Sequence, residues 1–145
     1  MRLTRRAEYA IRAAVDLAAQ PQGRAVLSRE IAERQEIPLN FMVHVVGDLV
    51  RAGIIRAARG SGGGLSLALP ASEINLRQIV EAVEGPIALN ECLLGKGSCA
   101  RRDRCPIAGV WERVQAGMLK VLEEATVDEL ARAPSEADRV LKGAS

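Results

Sequence analysis

The chain has 145 residues, of which 48% are hydrophobic and 26% charged, with a net charge of +2. That composition excludes a compositionally disordered chain and suits one domain with or without an appendage. Only three residues are aromatic, Tyr9, Phe41 and Trp111, so a core of Ala, Leu, Ile and Val is left, which points to helices packed on helices.

Residues 4–20 form the first predicted helix. Ala10, Ala13, Ala14, Leu17 and Ala18 recur at helical spacing, and Pro21-Gln22-Gly23 stops the run. Ser28 is placed to cap a short helix over 29–35, with Ile31 and Ala32 facing inward. Glu36 and Ile37 make a tight turn. A helix follows from Leu39 to about Ala52, and Gly53 stands where a left-handed residue ends a helix. Two helices joined this way are the plan of a helix-turn-helix.

Ile54–Ala58 and Leu65–Leu69 are short and strand-like, with Leu65, Leu67 and Leu69 on one face. The glycine-rich run Arg59-Gly60-Ser61-Gly62-Gly63-Gly64 lies between them. This is a β-hairpin, and directly after a recognition helix it reads as a wing. Pro70 ends it. Asn75 and Gln78 resemble a capping box for a helix to about Glu84, broken by Gly85-Pro86.

Residues 90–104 show no periodicity and carry Cys92 and Cys99, with Cys105 at the end. Pro106 suits the first position of a long helix running to about Ala125, with an apolar stripe of Ile107, Val110, Trp111, Val114, Met118, Val121 and Leu122. Such a stripe shows burial but not the partner: it serves either a dimer contact or packing within one protomer. Thr126 and Glu129 cap a last short helix. The fold class expected is mostly α with a small β-hairpin wing, a winged helix-turn-helix plus a long dimerisation helix. Its segments are the DNA-binding head over 1–88, a cysteine loop over 89–105, the dimerisation and terminal helices over 106–133 and a polar tail over 134–145.

The charge is unevenly spread. Residues 1–64 carry ten Lys/Arg against six Asp/Glu, a balance of +4. Residues 65–145 carry ten against twelve, a balance of −2. A basic head on a mildly acidic module suits a double-stranded DNA partner. No apolar run approaches the roughly 20 residues of a membrane span, and no signal core follows the basic start. The chain reads as cytoplasmic with no membrane partner. There its three cysteines are expected to stay reduced.

The glycine-rich run lacks the Lys-Ser/Thr ending of a nucleotide loop, and no helix follows it. A wing tip with a basic base is the reading it supports, with Arg59 able to enter a narrow minor groove. Asn40 and His44 lie four apart and share a face of the recognition helix. Asn pairs with adenine, and His44 can donate to a base or phosphate or stand as a plain surface histidine. The cysteines, Cys92-x6-Cys99-x5-Cys105, lack the CxxC pairing of zinc ribbons. Thiolates clustered in a glycine-containing basic loop with Lys96, Arg101, Arg102 and Arg104 suit an iron–sulfur cluster. Zinc, or free thiols acting as a redox switch, remain open. No acid–base or nucleophile constellation is visible, so no enzymatic role is expected.

With these residues in view, the chain resembles the iron–sulfur regulators of the IscR, NsrR and RirA type over about residues 1–132. The likeness is carried by Met1-Arg2-Leu3-Thr4 with Tyr9-Ala10, Ile37-Pro38, Leu49-Val50-Arg51-Ala52-Gly53, the wing Arg59–Gly64, Val83-Glu84-Gly85-Pro86, the cysteine triplet and Trp111. The resemblance implies a homodimeric DNA-binding transcription regulator, expected as a repressor, whose operator affinity follows a [4Fe–4S] or [2Fe–2S] cluster sensing iron, nitric oxide or redox state. The alternative keeps the head and uses the cysteines as a thiol switch or zinc site.

By the same resemblance, Cys92, Cys99 and Cys105 match the cluster ligands. Ser28, Asn40, Phe41, Val43, His44, Arg51, Arg59, Gly60 and Ser61 form the DNA-facing set. Where the IscR branch has a fourth-ligand histidine this chain has Ile107, and where that branch has a recognition-helix glutamate it has Val43. Where the NsrR branch has a ligand aspartate from the other protomer stands Glu8, which is nominated as fourth ligand, the alternative being a solvated first-helix residue that ion-pairs with Arg5 or Arg12.

Overall fold

The structure is a computed structural model that describes residues 2–134 and 143. The tail expected over 134–145 lies, Pro134 and Gly143 apart, outside the described residues. Helix α1 spans Arg5–Ala19 and starts at Thr4, whose hydroxyl accepts from the Ala7 amide at 3.1 Å. Its inner face carries Ala7, Tyr9, Ala10, Ala13, Ala14 and Leu17. Four small alanines let the neighbouring helices approach α1 closely, so it forms the spine of the head.

Helix α2 spans Ser28–Gln35 and helix α3 Leu39–Arg51. Ser28 is not the cap that the sequence suggests. It is the first helical residue, Leu27 holds the cap position, and the Glu30 carboxylate accepts from the Leu27 amide at 2.8 Å. The acidic side chain three residues in thus supplies the reaching-back half of a capping box, with no side chain in the serine's expected role. The turn between the helices passes through Glu36 in the left-handed region (φ 52°), with the Ile37 amide donating to Ala32 O at 2.9 Å. Gly53 ends α3 at φ +72° as expected. Between these helices and α1 lies one core containing Ile31, Ile37, Met42, Val45 and Leu49. Burying each large aliphatic side chain there contributes roughly 1.5–3 kcal/mol.

Strands β1 (Ile55–Ala58) and β2 (Gly64–Leu67) pair antiparallel, with Ile55 opposite Leu67 and Ala57 opposite Leu65. Leu65 is buried and Leu67 half-buried. Leu69 is exposed, because β2 ends at Leu67 and Pro70 starts a 3-10 turn over Ala71–Glu73. The sequence gives no sign of a third partner. Val26, between α1 and α2, exchanges two backbone hydrogen bonds with Leu65, at 2.9 and 2.7 Å. This ties the wing to the helix-turn-helix.

Helix α4 (Leu76–Glu84) opens on the expected box: the Gln78 amide donates to Asn75 Oδ1 at 3.0 Å and the Asn75 amide to Gln78 Oε1 at 2.8 Å. The aperiodic segment that follows contains two 3-10 turns, Glu91–Leu93 and Arg102–Arg104. Helix α5 runs over Ala108–Glu124, starting two residues later than Pro106 suggests, and helix α6 over Val127–Arg132. The sequence groups α6 with the long helix, but it packs into the head. Val127 is fully buried in the head's core, its amide donates to Ile74 O at 2.9 Å, and the Leu76 amide donates to Ala125 O at 3.0 Å. Helix α5 is different, for none of its residues is buried within the protomer.

Candidate nucleic-acid interface and metal centre

The outward face of α3 presents Asn40, Val43 and His44, with Val43 72% exposed. Arg59, Gly60 and Ser61 are exposed at the wing tip. Ser28, half-buried, stands at the first position of α2. Phe41, also in the expected DNA-facing set, is half-buried. Its ring meets Tyr9 edge to face, with centroids 5.3 Å apart at 76°. It therefore fixes the roll of α3 against α1. Arg51 is exposed at the end of α3, and its Nη2 donates to Asp48 Oδ1 at 2.5 Å.

Two buried carboxylates hold the helix-turn-helix, and sequence reasoning missed both. Asp16 of α1 accepts from Arg34 Nε at 3.0 Å, Arg34 Nη2 at 2.7 Å and Gln35 Nε2 at 3.0 Å, all from α2. This hydrogen bonding to Asp16 holds the Arg34 guanidinium above its ordinary pKa. Asp48 of α3 accepts from Arg6 Nε of α1 at 2.6 Å as well as from Arg51. The available signal was an aspartate on the inward face of an otherwise apolar helix, which must find a partner to be buried.

Cys92, Cys99 and Cys105 line one cleft of about 370 Å³, together with Asn90, Glu91, Ser98, Arg102, Ile107, Ala108 and Trp111. All three cysteines are free and half-buried. The first turns of α5 form the cleft's wall, and side chains tie the loop to them. The Leu89 amide donates to Gln115 Oε1 at 3.0 Å, and Arg102 Nη2 donates to Glu112 Oε1 at 2.9 Å. With the Asn90 amide turned so that its oxygen faces the indole, Trp111 Nε1 donates to it at 3.2 Å.

Among the described residues, no three His, Cys, Asp or Glu side chains converge on one metal-ion position. A tetrahedral zinc ion needs such convergence. A polynuclear cluster takes its thiolates on different irons, and three thiols lining one cleft are a donor set that fits it. His44, on α3, is not among the cleft residues. Glu8 does not line the cleft of its own protomer either; it is 53% exposed and ion-pairs with Arg12 one turn along α1.

At its far end α5 is joined to the head. Arg77 of α4 donates to Glu123 of α5 and, through Nε at 3.2 Å, to Glu81; these bonds raise the Arg77 pKa above its ordinary value, Glu123 contributing most. The Glu84 carboxylate at the end of α4 accepts from the Thr4 amide at 2.7 Å. Separate polar contacts therefore tie the cysteine loop to the start of α5, the end of α5 to α4, and the end of α4 to the start of α1.

A mostly helical head with a two-stranded wing, a recognition helix exposing polar and apolar side chains, and a separate cysteine cleft define a winged helix-turn-helix regulator. The chain belongs to the Rrf2 family: the family described as "Iron-dependent Transcriptional regulator" matches residues 3–133. A Neisseria meningitidis serogroup A protein, whose name places it among HTH-type transcriptional regulators, is 34% identical over 138 residues, 95% of this chain and 93% of its own. The HTH-type transcriptional regulator IscR of Vibrio cholerae is 32% identical over 130 residues, 90% of this chain and 75% of its own. In fold, the structure of CymR, the global cysteine regulator of Bacillus subtilis, matches with a TM-score of 0.76 at 22% identity, covering 93% of this chain and 99% of that one. The expected fold class and family therefore hold. The chain is a transcriptional regulator and not an enzyme. No helix among the described residues is long and apolar enough to cross a membrane.

Proposed function

We propose that the protein is a homodimeric repressor whose affinity for a double-stranded DNA operator is set by an iron–sulfur cluster on Cys92, Cys99 and Cys105. The observation that carries this reading is the shared cleft. Three free thiols line one cavity whose wall is the start of an exposed apolar helix. The cluster supplies an iron centre that responds to iron supply, oxidants or nitric oxide. Cys92, Cys99 and Cys105 would hold it through their thiolates, and Glu8 of the partner subunit is nominated as the fourth ligand.

The chain's own residues do the rest. Asn40, Val43, His44 and Arg51 face the major groove, and Arg59 with Gly60 and Ser61 reaches the minor groove from the wing. Val110, Val114 and Val121, which are 49%, 48% and 65% exposed, meet the same helix of a second protomer. The Arg102–Glu112 and Arg77–Glu123 contacts hold the loop, α5 and the head in one arrangement. When the cysteine loop is released, α5 and the heads are free to shift. Because two half-sites must be matched at once, a small change in head spacing lowers affinity strongly.

The test is an ultraviolet–visible spectrum with iron and acid-labile sulfide assays on protein purified without oxygen. A brown protein whose charge-transfer bands vanish in Cys92→Ala carries the reading. A colourless, iron-free protein after anaerobic reconstitution overturns it. That outcome favours a second reading, a winged-helix regulator that uses its cysteines as a thiol switch or zinc site, for which the three free, half-buried thiols are the supporting observation.

A further inference from the structure

Arg102 touches all three cysteine residues. Its amide donates to Cys99 O at 3.3 Å, and its carbonyl accepts from the Cys105 amide at 3.3 Å. The side chain reaches the third: Nη1 donates to Cys92 O at 3.2 Å, while Nη2 donates to Glu112 Oε1 of α5 at 2.9 Å. The two kinds of contact are not equivalent. The bonds to Cys99 and Cys105 are main-chain bonds of a 3-10 turn and survive any change of side chain except proline. The bond to Cys92 crosses ten residues of loop and depends on the guanidinium alone.

We infer that Arg102 is the positioning residue of the cysteine site, holding Cys92 in register with Cys99 and Cys105 and fastening the set to α5 through Glu112. The inference rests on reading the cysteine loop as the regulator's sensing element, and it adds how that loop is organised before any ligand arrives. A planar guanidinium is suited to the task, since its fork serves a backbone carbonyl and a carboxylate at once; a lysine ammonium offers one compact charge and no fork.

The dependence on one side chain gives a selective test on the metal-free, reduced, full-length protein. The rate of iodoacetamide alkylation is measured at each cysteine by peptide mass spectrometry. In Arg102→Ala, Cys92 is expected to react faster by about two- to tenfold, the equivalent of one net hydrogen bond. Cys99 and Cys105 are expected to stay within about twofold, because their main-chain bonds remain. Glu112→Gln removes the charge that orients the guanidinium and is expected to raise the Cys92 rate by less. The double variant is expected to fall short of the product of the two single effects, as it should if both act through one bridge.

An unchanged Cys92 rate in Arg102→Ala overturns the inference. So does a parallel rise at all three cysteines, which would mean general loosening of the loop. No cluster is needed for any of these rates, so a colourless protein would sink the cluster reading without touching this result, and the reverse also holds.

Discussion

Arg6 of α1 donates through Nε to the carboxylate of Asp48 on α3 at 2.6 Å, tying the spine of the head to the recognition helix at a point where the aspartate is nearly inaccessible. Arg51 approaches the other oxygen from the solvent side. Asp48→Ala is expected to cost roughly 1.5–3 kcal/mol, the range for hydrogen bonds to charged groups. The loss stays at that level because both arginines are exposed enough to be rehydrated. Urea unfolding of the variant measures it, and a midpoint equal to that of wild type would falsify the structural role. Arg51→Ala leaves the Arg6 bond in place and is expected to change stability by less than about 1 kcal/mol. Its effect should appear in DNA affinity instead.

Gly64 is required by a close approach. A Cβ there would stand 2.9 Å from the backbone oxygen of Val26, and the residue has φ +146°. Since Val26 and Leu65 exchange two backbone bonds beside it, neither chain can retreat without breaking the join between wing and head. Gly64→Ala is therefore expected to destabilise the protein by about 1–3 kcal/mol. It should also weaken operator binding beyond what the lost stability explains, because the wing is displaced. Circular dichroism melting with DNA titration at a temperature where both proteins are folded separates the two effects; unchanged melting would show that the wing can move away.

Much of this architecture was legible in the sequence because local chemistry and tertiary packing agree. Asn75 with Gln78, Thr126 with Glu129, and Gly53 each act where the chain itself must end or begin a helix, so their meaning is local. What was not legible depends on partners far along the chain. Val26 has no strand pattern around it, yet it pairs with Leu65. Phe41 lies beside Asn40 on a recognition helix, and only the position of Tyr9 shows that its ring turns inward. Val127 follows a helix that looks independent, but it fills the head's core. The cysteine triplet was visible as spacing. The role of Arg102 was not, because four arginines and lysines in that loop look alike until one of them is seen to bridge Cys92 and Glu112.

The two kinds of residue on α3 should separate experimentally. Phe41→Leu removes the edge-to-face contact and is expected to cost about 0.5–1.5 kcal/mol of stability, with sequence preference on DNA unchanged. His44→Ala and Asn40→Ala alter exposed side chains, so stability should hold within about 0.5 kcal/mol. If they read bases, affinity for an operator enriched from a random duplex library falls by about 1–3 kcal/mol each. Arg59→Ala should weaken binding and lower the slope of log affinity against log salt by about one, as the loss of one cation from the DNA surface requires. A loss of sequence preference in Phe41→Leu, with none in His44→Ala or Asn40→Ala, would reverse the assignment of faces.

Helix α5 is the part of the molecule whose burial is unfinished. Its apolar side chains recur at positions 110, 114, 118 and 121, yet none is buried, and Val121 is 65% exposed. Although α5 touches α4 and the cysteine loop, its stripe of exposed valines is left open, and an exposed apolar patch marks an interaction site. If the partner is a second copy, a charge placed in the stripe faces its own image across the twofold axis and meets repulsion as well as desolvation. Val114→Asp with Val121→Asp is then expected to raise the dimer dissociation constant by at least about a hundredfold, roughly 2.7 kcal/mol. The head should remain folded, because neither residue belongs to its core. Sedimentation equilibrium measures the constant directly. A wild-type protein that is monomeric at micromolar concentration, or a double variant that dimerises as tightly as wild type, would remove α5 as the dimer contact and with it the coupling of cysteine loop to head spacing.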